Sequence, residues 1–140
     1  MFNRQLSLSI AVIVSVLTSI SAFAGQPEGI YTEPQASKGQ IAYEKHCASC
    51  HGLKLEGGIG VPLSGPTFVS NCKNEGRTAD DLFYIMRTFM PYGEPGKLTK
   101  QEYVDIIAYI LKVNGHRAGT KHLPADATVL GRIGLHTSQP

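Results

Sequence analysis

Residues 47–51 read Cys47-Ala48-Ser49-Cys50-His51, and this string decides how the rest of the chain is read. Two thiols three positions apart, with a histidine directly after the second, set three reactive groups around one flat ring. Each thiol can add across a vinyl group of a haem, and His51 then lies under the iron as the proximal ligand. A thioether does not dissociate, so a cofactor held this way is not lost. Other uses of a Cys pair fit less well. A structural zinc site calls for a second Cys pair or two His at ligand spacing, and only Cys72 adds a thiol. A thioredoxin-like pair has a strand before it and a helix after it. Here a helical stretch precedes the pair and a glycine-rich one follows.

On the N-terminal side, Ser37 is placed to cap a helix running to about His46. Its spacing aligns Gly39, Tyr43 and Cys47 along one side. On the C-terminal side, residues 52–77 carry five glycines from Gly52 to Gly65, with Pro62 and Pro66, and read as a long loop. A connection of that length is unusual in so small a domain unless it wraps something that supplies core. Thr78-Ala79-Asp80-Asp81 opens a second helix, in which Leu82, Ile85, Met86 and Phe89 form an apolar stripe. Pro91 ends it and drives Met90 out of the α region. Thr99-Lys100-Gln101-Glu102 is a capping box for a third helix, with Tyr103, Ile106, Ile107, Ile110 and Leu111 on one face. Asn114-Gly115 stops it. Residues 116–140 form a tail with one short helical turn near Asp126–Leu130. The fold class is therefore all-α, with three main helices and long loops.

Composition limits the alternatives. The 140 residues suffice for one domain, and the net charge of +2 has no basic run behind it, so nucleic acid is excluded as a partner. Residues 1–24 read as a signal peptide. Arg4 precedes an apolar stretch from Leu6 to Ile20, and Ala22-Phe23-Ala24 supplies the cleavage site. The stretch falls short of a membrane span. Cleavage after Ala24 predicts a periplasmic domain of residues 25–140 with no stable membrane insertion. In an exported chain three cysteines do not make a disulfide framework, and spending Cys47 and Cys50 on haem leaves Cys72 alone.

The sixth iron ligand has several candidates: Met86, Met90, His46, His116, His122 and His136. Met86 lies on the apolar stripe and reads as packing. Met90 stands at a helix end, before a loop free to turn its sulfur inward, and a Met ligand raises the potential as electron transfer requires. His46 and the three tail histidines read as polar surface.

From Ser37 to Gly115 the chain resembles the class I, mono-haem cytochromes c. The likeness rests on Gly39 and Tyr43, on Cys47–His51, on Leu63-Ser64-Gly65, on Met90-Pro91 and on Ala108-Tyr109. It implies a cytochrome c fold around one covalent haem c, with Cys47 and Cys50 attached and His51 and Met90 on the iron. It implies a crossing of the first and last helices, close at Gly39, with Tyr43 and Tyr109 packed there. The family commonly has Pro where this chain has Val61; a backbone carbonyl at that position would fix the proximal ring, and Val61 can supply one. The run Arg87–Thr99, the run Tyr109–Gly115 and Leu123-Pro124-Ala125-Asp126 look more specifically like cytochrome domains that accompany periplasmic quinoprotein dehydrogenases. Cys72 falls where that branch often has a large aromatic, and reads as a small buried hydrophobe.

These readings predict a one-electron carrier rather than an enzyme, cycling Fe(III)/Fe(II) between a dehydrogenase donor and an oxidase or another cytochrome as acceptor. The alternative is an obligate haem subunit of a quinoprotein-type dehydrogenase complex. A third reading, a haem enzyme or gas sensor, needs an open sixth site. Lys45, Lys54, Lys97 and Lys100 flank the motif regions and are candidates for the rim of the haem edge.

Overall fold

The computed structural model describes residues 28–136. The signal peptide expected at residues 1–24 lies outside them. Six helices follow in order: α1 Glu33–His46, α2 Ala48–His51, α3 Gly65–Asn74, α4 Ala79–Phe89, α5 Lys100–Val113 and α6 Ala127–Leu130. Among the described residues there is no strand, only isolated bridges at Tyr31–Ala118 and Thr78–Gly134.

Helix α5 is the axis of the molecule. Every residue from Tyr103 to Leu111 is buried, so the single apolar face expected for it is a helix enclosed along its middle. Its start is fixed by the capping box: Thr99 accepts from the Glu102 amide, and Glu102 accepts from the Thr99 amide. Helix α1 crosses it at Gly39, where an added Cβ would lie 1.7 Å from the Asp105 carbonyl oxygen. Only glycine permits that approach. Tyr43 and Tyr109 meet beside the crossing, with ring centroids 5.5 Å apart and planes tilted by 54°. Both residues at this contact, and the glycine, stand as the resemblance implied.

A polar knot closes the same interface. Gln35 is fully buried; its amide donates to the Asp105 carboxylate (3.1 Å) and to the Leu123 carbonyl (2.9 Å), and its oxygen accepts from the Leu123 amide (2.8 Å). Gln101 donates to the same Asp105 oxygen at 2.7 Å. The knot joins α1, α5 and the tail.

Three elements depart from expectation. Helix α1 begins five residues before Ser37's successor Lys38, at Glu33, with Thr32 as cap and Pro34 in the first turn. Proline suits that turn because the missing N–H would have had no helical partner. Ser37 is interior, its hydroxyl donating to the Glu33 carbonyl. Helix α3 occupies ten residues of the expected 52–77 loop. Its Pro66 is again a first-turn residue, and Phe68, Val69 and Cys72 turn inward to varying degree, Cys72 being the one that is buried. In α4, Phe83 takes a core place with Leu82 and Met86, whereas Phe89 at the helix end is 55% exposed. There it stacks edge-on to Tyr84 at 6.5 Å.

Candidate haem site

The Cys-Cys-His string lies on the one-turn helix α2, directly behind α1. The amide of Cys47 donates to the Tyr43 carbonyl (2.8 Å), and His51 donates to the Cys47 carbonyl (2.9 Å), so the string continues the helical ladder after a break. Cys47 and Cys50 are free thiols, each half-buried. Burial, with Cys50 alongside, pushes the Cys47 thiol up to about 11, which keeps it protonated at neutral pH.

His51 is oriented by the loop that follows. Its Nδ1 lies 2.8 Å from the Val61 carbonyl oxygen. A carbonyl only accepts, so Nδ1 carries the proton and Nε2 presents its lone pair. This is the arrangement in which an outer partner fixes the tautomer of a metal-binding imidazole. Gly60 lies flat against the ring, where a Cβ would come within 2.7 Å of Cε1. The loop is tied back by two carbonyl contacts: Gly60 donates to the Cys50 carbonyl at 2.8 Å, and Gly57 to the His51 carbonyl at 2.8 Å. Tyr43 donates its hydroxyl to the Gly52 carbonyl at 2.7 Å, fastening the motif to the helix crossing. From α5, Asn114 donates to the Leu63 carbonyl at 2.9 Å.

Around this string the loop presents apolar side chains outward: Leu53, Ile59 and Val61 are exposed, Ile59 to 93%. Beside Met90 the same holds for Phe89 and Tyr92. Exposed apolar side chains in the loop that follows two free thiols, and a histidine whose Nδ1 is already held by Val61, suit a flat apolar ring with a metal at its centre. The residues fit a haem.

Met90 is the C-cap of α4. Its amide donates to the Met86 carbonyl at 3.0 Å, and its backbone is extended (φ −123°, ψ 151°), as a residue before proline must be. Its carbonyl accepts from the hydroxyl of Tyr103 at 2.7 Å. Met86 is buried in the core, in keeping with a packing role.

The histidines divide differently from the surface reading. His122 is exposed and His46 half-buried. His116 is 8% exposed and belongs to the interior, a correction to its reading as surface. The tail folds over it. Tyr31 donates to the His116 carbonyl at 2.7 Å, and the Leu135 carbonyl bonds its ring. Its pKa is lowered by burial and by the neighbouring His136. No pattern in the sequence marks His116, since what buries it is the return of a segment twenty residues on. Among the described residues no group of three or more His, Cys, Asp or Glu side chains gathers as a further metal site. No helix among them is long and apolar enough to cross a membrane.

The family model described as "Cytochrome C oxidase, cbb3-type, subunit III" matches residues 34–110, more than half of the chain. The span runs from the first turn of α1 to the last turns of α5 and takes in Cys47, Cys50, His51, Val61 and Met90. No curated protein and no solved structure matches.

Proposed function

Since the chain belongs to the cytochrome c family represented by subunit III of cbb3-type cytochrome c oxidase, and is in that sense a haem protein of electron transfer, we propose that it is a periplasmic carrier of single electrons with one haem c. In this reading Cys47 and Cys50 hold the haem covalently, and His51 and Met90 bind the iron. The observation that carries it is the His51–Val61 contact of 2.8 Å, which leaves Nε2 as a ligand lone pair on the residue directly after two free thiols in the chain. When bound, the haem supplies an iron that passes between ferric and ferrous states. The chain's own part is to orient His51 through Val61 and Gly60, to bring Met90 to the end of α4, and to shield the ring edges with Leu53, Ile59, Val61 and Phe89. Donor and acceptor are redox proteins, a dehydrogenase on one side and an oxidase or another cytochrome on the other, met in weak and fast encounters.

The test is the visible spectrum of the purified holoprotein beside Met90→Ala. A pyridine spectrum of c type is expected, with a ferric iron–sulfur charge-transfer band that disappears in the variant. Its persistence would remove Met90 from the iron. Carbon monoxide is expected to bind the reduced wild type slowly and the variant readily. Rapid binding to the wild type would favour a haem enzyme or gas sensor instead.

A second reading, an obligate haem subunit of a quinoprotein-type dehydrogenase complex, draws support from the run Arg87–Thr99 and from the exposure of Tyr92 and Ile59. Purification under mild conditions separates the two. A carrier comes away alone, and a subunit brings the dehydrogenase with it.

A further inference from the structure

We propose that Tyr103 is the positioning residue for Met90, fixing the sixth ligand from the buried last helix. The inference rests on the reading of Met90 as an iron ligand. The segment after α4 has little hold of its own. Between Pro91 and Lys97 its backbone bonds are two turn contacts, Glu94 to Pro91 at 2.9 Å and Lys97 to Glu94 at 3.3 Å. Every residue from Tyr92 to Lys97 is exposed, and the chain re-enters the core at Leu98. Met90 stands at the root of this loop, and both its backbone polar groups are spent on rigid partners. The amide is held by Met86 as the last rung of α4, and the carbonyl is held by the Tyr103 hydroxyl at 2.7 Å.

Tyr103 is a buried anchor. It is 2% exposed, and its own amide donates to the Thr99 carbonyl in the capped first turn of α5. A phenol facing a carbonyl acts only as donor, so the bond has one polarity and one geometry. With N–H and C=O both fixed, Met90 keeps its side-chain torsions as its main freedom. Its sulfur then searches a small volume, and binding iron forfeits less conformational freedom. Without the hydroxyl, the Met90 carbonyl loses its partner and the loop root is free to swing. The ligand then leaves the iron more often.

The measurement is the rate at which carbon monoxide replaces the sixth ligand in the reduced holoprotein. Tyr103→Phe keeps the ring that fills the core and removes only the donor. Tyr31→Phe is the matched control, because Tyr31 is equally buried and also donates at 2.7 Å to a backbone carbonyl, that of His116. We expect Tyr103→Phe to exchange about tenfold faster than wild type, the change that goes with the loss of one buried hydrogen bond. Its reduction potential falls as well, because the Met bond favours ferrous iron. Tyr31→Phe keeps the wild-type rate and potential. Equal rates in wild type and Tyr103→Phe, or a like acceleration in both variants, would overturn the proposal while leaving Met90 as ligand. Met90→Ala makes the distinction: if it takes up carbon monoxide no faster than wild type, Met90 is not on the iron and the inference falls with the reading beneath it.

Discussion

His116 is a buried base with its Nε2 lacking any hydrogen-bond partner and with His136 as its neighbour. Its folded pKa lies below the ordinary 6.5. Above that pH both the folded and unfolded chains hold it neutral, and it makes no difference to stability. Below it the unfolded chain binds a proton that the folded chain refuses, so stability falls with pH until the folded pKa is passed. Asp81 and Glu102 also lose stability on acidification, but from a different cause and at lower pH. Backbone amides at the helix caps hold their carboxyls below the usual range, and their contribution is lost only at more acid pH. The melting temperature is therefore expected to drop as the pH falls below about 6.5 in the wild type, and to drop less steeply in His116→Gln. Equal slopes in the two proteins would clear His116 of the effect. At this scale the sequence was uneven to read. Cys47, Cys50 and His51 declare themselves because spacing alone imposes their chemistry. Spacing does not mark Val61, since a carbonyl is common to all residues; the family resemblance pointed to it, and the fold brings its oxygen to Nδ1. Nor does spacing mark His116, because burial by a distant segment leaves no local trace.

Among the helices, those with a polar cap and an apolar period were legible to the residue. Thr78 and Thr99 both close capping boxes, α4 stops at the residue before Met90, and α5 ends at Asn114. The misread starts of α1 and α3 share one cause: a proline in a first turn looks like a breaker when it is a start. Thr32, not Ser37, accepts from an orphan amide of α1, that of Gln35 at 3.3 Å. Thr32→Ala is thus expected to cost about 1 kcal/mol, the usual loss of a cap. Ser37→Ala, exposed and interior, is expected to stay within about 0.5 kcal/mol of wild type. Urea titrations of the two variants check this, and a larger loss from Ser37→Ala would return the cap to Ser37. Helix α3 had the further disguise of few apolar residues, Phe68, Val69 and Cys72, too few to set a period against the glycines before it.

Over the whole molecule, what holds the parts is α5, fastened outward at both ends. Tyr103 reaches Met90 and Asn114 reaches Leu63, eleven positions or roughly 16 Å apart along the axis. Between them Tyr109 meets Tyr43, which holds Gly52 beside His51. The crossing of α1 and α5 was foreseeable from the resemblance, whereas the Gln35 knot was not, since a buried glutamine shows itself only once its partners are in place. Gln35→Ala leaves a buried carboxylate short of a donor and both backbone groups of Leu123 unmatched, a loss of about 3 kcal/mol. A shift in the urea midpoint with an unchanged slope is the expected signature. The same knot sets an order in time. Residue 35 finds its carboxylate at 105 and its carbonyl at 123, so a chain emerging N-terminus first carries α1 unpartnered while some ninety further residues follow. Among the described residues the first helix made is among the last to be satisfied, and its side toward α5 waits in the open until the final third of the sequence arrives.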